Sequence, residues 1–166
     1  MDSARRNWCR GYRNLIIWQN AIGFYAAVCE RFEKFPWVLR RVASNQIAAA
    51  DSIHRNIAEG YCRRSTREYL YFLGVAIGSL GECTSGFHAC RHANQLSEDE
   101  FHRLDTLAYE LENGLINLVA ALKKKQDQMQ QADANSVHED SPEYGHNADP
   151  DSLPNDEWLN KATTKE

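Results

Sequence analysis

The run Asp51–Phe72, DSIHRNIAEGYCRRSTREYLYF, decides how the rest of the chain is read. Ile53 and Ile57 repeat at a helical step on its left, and Tyr69 opens a second such pattern on its right. Gly60 and a basic segment interrupt the two. Gly60 suits the left-handed position that ends a helix. Ser65-Thr66-Arg67-Glu68 has the spacing of a capping box, in which a hydroxyl and a carboxylate each take a backbone N–H at the helix entrance. The stretch reads as a corner between two helices. Asn56 and Glu59 are expected to fix the turn by hydrogen bonds, with Gly60, Ser65 and Glu68 as its punctuation.

Working outward, the upstream helix begins near Trp37, and its apolar line is Ile47, Ala50, Ile53 and Ile57. Pro36 separates it from an earlier pattern over 14–35, because the proline ring fixes φ and removes a donor. There Leu15, Trp18, Ile22, Tyr25, Cys29 and Phe32 recur at three- and four-residue steps. Downstream, Tyr69, Leu73, Ala76, Leu80, Cys83 and Phe87 extend the third helix to about His92. A second capping signature, Ser97-Glu98-Asp99-Glu100, then precedes Phe101, Leu104, Ala108, Leu111, Leu115, Leu118 and Leu122. Lys123–Lys125 complement the negative end of that fourth helix. Four helices joined by short turns fold back on one another. The expected class is all-α, an antiparallel up-down-up-down four-helix bundle with a disordered acidic C-terminal tail.

Charge divides the chain in the same places. Residues 1–125 carry 17 Lys and Arg against 13 Asp and Glu, whereas 126–166 carry 2 against 10. The tail holds three of the four prolines and few aliphatic residues, so it cannot bury enough apolar surface to offset the entropy of ordering it. The expected organisation is a basic lead over 1–13, the bundle over 14–125 and the tail over 126–166. No secretory signal and no uncharged apolar run of membrane-spanning length is present. Five cysteines, an odd number with no CxxC pair, fit reduced thiols in a cytoplasmic protein.

The third helix is rich in glycine, each of which costs about 1 kcal/mol relative to alanine in a helix interior. At 100° per residue, Gly74, Gly78, Gly81 and Ser85 share one strip, well away from the Leu73–Leu80–Phe87 face. Either the helix simply tolerates these residues or they relieve crowding within the bundle, or the strip is an oligomer interface where a neighbouring protomer's backbone comes close.

Catalytic and metal-binding patterns are thin. His88 and His92 stand at i and i+4, a valid half-site for zinc or copper, with Cys83 and Cys90 far around the helix. A di-iron bundle needs Glu-x-x-His motifs on two helices. The chain offers Asp51-x-x-His54 and Asp99-x-x-His102 instead. No nucleophile elbow or phosphate-cradling loop occurs. No catalytic residue, metal or cofactor is therefore assigned. Arginines are the better candidates: Arg5, Arg6, Arg10 and Arg13 lie near Trp8 and Tyr12, Arg40 and Arg41 open the second helix, and Arg63, Arg64 and Arg67 surround the corner. Guanidiniums can hold phosphates while a ring stacks on a base. The plainer reading is a solvated surface with local ion pairs.

The segment ADSIHRNIAEGYCRRSTREYLYFLGVAIGSLGE, Ala50–Glu82, resembles the signature of small bacterial four-helix-bundle proteins encoded in intervening sequences of 23S ribosomal RNA genes. It is similar also to the accessory variability protein of diversity-generating retroelements. LIIWQNA near the start, Phe35-Pro36 and LSEDEFHRL extend the likeness over about 15–125. The resemblance implies a closed homopentamer with a basic surface and no known catalytic activity. For retroelement members it implies binding to a reverse transcriptase and its RNA, a partner that is not carried over here. The expected function is a non-enzymatic, pentameric bundle binding RNA, DNA or a nucleic-acid-bound protein through basic patches. The alternative is an oligomeric protein-interaction scaffold without nucleic-acid binding.

Overall fold

The structure is a computed structural model that describes residues 8–136. Four helices carry the fold: α1 (Ile16–Phe32), α2 (Arg40–Tyr61), α3 (Thr66–His92) and α4 (Glu98–Ser136). No strand occurs among the described residues. Each helix packs on its chain neighbour, and α1 closes the bundle against α4. The result is the expected antiparallel four-helix bundle.

The core is one continuous apolar cluster. All the expected lines of α3 and α4 are buried, from Tyr69 to Phe87 and from Phe101 to Leu122. Phe24, Phe32 and Phe87 meet across α1 and α3 at ring separations of 6.1 and 6.0 Å. Each such side chain contributes about 1.5–3 kcal/mol by leaving water. In the first helix the ends of the expected line, Leu15 and Phe32, are buried, and its middle is displaced by one position. Ile17, Ala21, Phe24, Val28 and Phe32 are buried, while Trp18, Ile22, Tyr25 and Cys29 are half-buried flanks. This helix is apolar on two adjacent stripes, and periodicity alone does not tell the inward stripe from the lateral one.

Element ends differ from the sequence expectations for local reasons. A 3₁₀ segment, Trp8–Asn14, precedes α1 and docks on α2, with Tyr12 edge-on to Tyr61. After Pro36 the chain takes one 3₁₀ turn, Trp37–Leu39, before α2 begins. Helix α2 then runs through Gly60, which does not adopt a positive φ. The left-handed residue is instead Asn94, φ 54°, after α3. There the Gln95 N–H reaches the Cys90 carbonyl at 2.8 Å and the Asn94 N–H reaches that of Arg91 at 3.0 Å, the paired bonds of a Schellman motif. Ser97 and Glu100 form a complete capping box before α4. The Ser97 N–H donates to Glu100 Oε2 at 2.9 Å and the Glu100 N–H donates to Ser97 Oγ at 3.3 Å.

Helix α4 continues past Lys125 to Ser136, so helix occupies the first part of the expected tail. Residues 126–136 include Gln, Met and Ala and contain neither glycine nor proline. Adding turns to an existing helix avoids the unfavourable nucleation step, so little core is needed. The expectation of disorder over 137–166 lies outside the described residues.

Candidate nucleic-acid interface and subunit surface

The α2–α3 corner is built by close approach. A Cβ on buried Gly60 would stand 2.6 Å from Tyr69 Cδ2 and 2.9 Å from Phe72 Cβ. Gly60 therefore admits α3 against α2, which replaces the left-handed role expected from the sequence. Ser65 is the N-cap of α3, its Oγ accepting from the Glu68 N–H at 3.4 Å. Asn56 does not act at the turn itself. Its Nδ2 donates to the Ser52 carbonyl at 2.7 Å and to Ser52 Oγ at 3.0 Å, and Ser52 meets Ser79 of α3 at 2.8 Å. This polar chain ties the two helices at Ser52 and Ser79, more than two turns away from the corner.

At the corner, Glu59 pairs with Arg63, whose guanidinium lies 4.8 Å from the Phe72 ring centroid. Arg64 and Arg67 are exposed and form no ion pair among the described residues. The docked 3₁₀ segment brings Arg10 and Arg13, also exposed and unpaired among these residues, to the same end. Antiparallel packing carries Lys123 and Lys124 of α4 there too. Arg40 and Arg41 stand at the opposite end, about 33 Å away along the 22 residues of α2. The arginines singled out from sequence thus form two separate groups. Arg5 and Arg6 lie outside the described residues.

The glycines also separate into two kinds. Gly86 faces α2, where an added Cβ would overlap the Gln46 carboxamide, and Gly114 would press Ile17 Cδ1 at 2.7 Å. These relieve crowding inside the bundle. Gly74, Gly78 and Gly81 are exposed, as is Ser85, and a Cβ on any of the three glycines would meet nothing within 4 Å. Gly78, Gly81 and Ser85 border an open groove of about 900 Å³ between α3 and α2, whose far wall includes Asn45, Ala48 and Ser52. Gln46 lines the same groove and leaves Oε1 buried without a hydrogen-bond partner among the described residues.

No group of three His, Cys, Asp or Glu side chains that could hold a metal ion comes together among the described residues. His54 bonds Asp51 at 3.1 Å and lies edge-on to Tyr25, while His88 packs on Phe101. Burial pushes the Cys83 thiol up to about 12 and raises that of Cys90, which leaves both protonated and unreactive near neutral pH. No described helix is long and apolar enough to cross a membrane.

A family model described as 23S rRNA-intervening sequence protein matches residues 13–117, most of the chain and all but the end of the bundle. The chain belongs to that family. No curated protein matches it.

Proposed function

We propose that this member of the 23S rRNA-intervening sequence protein family is a non-enzymatic, cytoplasmic homo-oligomer that binds nucleic acid or a nucleoprotein. Five copies is the state implied by the family resemblance. The observation that carries the binding reading is the group Arg10, Arg13, Arg64 and Arg67, exposed guanidiniums gathered at one end with no carboxylate partner among the described residues. Phosphate affinity grows with the number of such contacts, so repeating this end around a ring multiplies its effect.

Self-association is supported by the outer glycines. Each weakens α3 by about 1 kcal/mol relative to alanine, and the bundle gains no packing in return. A second backbone lying close against this face would supply that return. A closed ring needs two different complementary surfaces on each copy, with the α2–α3 groove as one of them. The packing of His54 and His88 against aromatic rings and the burial of the protonated Cys83 and Cys90 thiols fit a non-enzymatic role.

Two measurements test this reading. Light scattering should show a particle several chains in mass that collapses toward the monomer in Gly78→Leu/Gly81→Leu, with helix content retained. Titration with a structured RNA at low salt should show binding that weakens steeply as salt rises. An unchanged particle mass in the leucine variant rejects the subunit surface, and no binding at low salt rejects the nucleic-acid role.

A further inference from the structure

At the end of the bundle opposite the basic corner, the chain leaves Pro36 through a 3₁₀ turn that holds Trp37 and Val38 out in solvent, 77% and 83% exposed. An indole this exposed is the largest apolar group the surface presents at that turn. Arg40 lies against it, its guanidinium carbon 4.1 Å from the ring centroid. That contact fixes the indole from one face. The degree of exposure leaves the other face open. Trp37 and Arg40 line a cleft of about 670 Å³ between α1 and α2, with Phe35 and Ile47 among its apolar walls.

We infer that Trp37 is a stacking platform for an unpaired base of a single-stranded nucleic acid, with Arg40 and Arg41 on the adjoining phosphates. The inference rests on the nucleic-acid reading above and specifies the strand state that this end accepts. A ring held flat by a guanidinium offers a π-face to any base, and such stacking does not depend on sequence. A paired base keeps its faces inside the duplex and cannot use it. Arg41 is exposed and forms no ion pair among the described residues. The first turn of α2 contains no acidic residue, so the local field favours an anion. Two carboxylates, Asp51 and Glu33, also line the cleft. Asp51 is occupied by His54 and Arg55, each at 3.1 Å. Glu33 leaves an acceptor for an exocyclic amine.

The test titrates the full chain at low salt against a labelled 12-nucleotide single-stranded RNA and a duplex of the same length. Trp37→Ala should weaken single-strand binding by about five- to 150-fold, the size of one base–aromatic stack. Duplex binding should change by less than about twofold. Trp37→Phe, which keeps a π-face, should restore most of the affinity. Equal weakening on both probes, or no weakening on either, overturns the inference. So does a fall in particle mass in Trp37→Ala, because the indole would then belong to a contact between protein copies. If the wild-type chain binds both probes and Trp37→Ala changes neither, only this inference falls. If the wild-type chain binds neither, the nucleic-acid reading falls with it.

Discussion

Two arginine groups, one joining α1 to the α3–α4 turn and one at the α2–α3 corner, use the same residue type in opposite ways. Where α1 meets the α3–α4 turn, Arg31, Arg91 and Arg103 are matched to carboxylates, while Arg40 and Arg41 at that end belong to the separate Trp37 surface. Arg31 sits 2.6 Å from Glu100 and donates to the Gln95 carbonyl at 2.7 Å, Arg91 pairs with Glu98 at 2.8 Å, and Arg103 pairs with Glu30 at 3.1 Å. At the α2–α3 end only Arg63 finds a carboxylate among the described residues, while Arg10, Arg13, Arg64 and Arg67 face solvent. Paired guanidiniums hold elements together. Unpaired ones at a surface leave a field that an anionic partner can use. Arginine content does not distinguish the two uses, because only the placement of glutamates decides which one applies.

The largest stability effect should come from the clasped end. Arg31 is mostly buried and joins α1 to the α3–α4 turn through a carboxylate and a backbone carbonyl. Arg31→Ala leaves the Gln95 carbonyl without that donor and should lower unfolding free energy by about 1–2 kcal/mol, read as a reduced urea midpoint. A midpoint equal to wild type would mean the clasp is decorative.

Acid should act at that end as well. Hydrogen bonds from the Ser97 backbone, with further help from the Ser97 hydroxyl and Arg31, hold the Glu100 carboxyl below its ordinary value. A carboxylate with a lowered folded pKa contributes stability that is complete above its unfolded pKa and is lost as pH falls through the folded one. Thermal stability should therefore decline below the ordinary carboxylate range, and Glu100→Gln should make that decline shallower. Equal acid slopes in the two proteins would assign the loss to other carboxylates.

Arg63 is the intermediate case, since its pair with Glu59 is largely open to solvent. Exposed pairs of this kind contribute about 0–1 kcal/mol. Arg63→Ala should shift the unfolding midpoint by less than Arg31→Ala does, and a larger shift would make the corner a second clasp.

Most of the architecture is legible in the sequence because local signals and burial agree. The α3 and α4 lines repeat without a competing stripe, and Ser97–Glu100 sits where its spacing indicates. Legibility fails where one residue type has two physical uses. Gly60 looks like a left-handed terminator and is a site of close approach. The outer glycines of α3 and the inner Gly86 are indistinguishable as letters, and only the neighbouring atoms separate them. In the sequence Trp37 reads as the start of α2 rather than as an exposed ring, since exposure depends on how Pro36 aims the turn. The division of the arginines into two ends requires the docking of the 3₁₀ segment, for which no periodic pattern exists.

The smallest effect on folding should accompany the clearest effect on binding. Arg64 and Arg67 make no ion pair among the described residues and are exposed, so Arg64→Ala/Arg67→Ala should move unfolding free energy by no more than about 0.5 kcal/mol. If these two guanidiniums meet phosphates, the double variant should bind RNA more weakly. The slope of log affinity against log salt should also flatten by roughly 0.7–0.9 for each phosphate no longer neutralised. A mere loss of local structure would lower affinity and stability together and leave that slope unexplained. Weaker binding with an unaltered salt slope would mean the arginines act through shape, and unchanged binding would mean the open end is only solvated. Unchanged folding with a flatter slope is the combination that distinguishes an arginine kept free for a partner from one employed in holding the bundle shut.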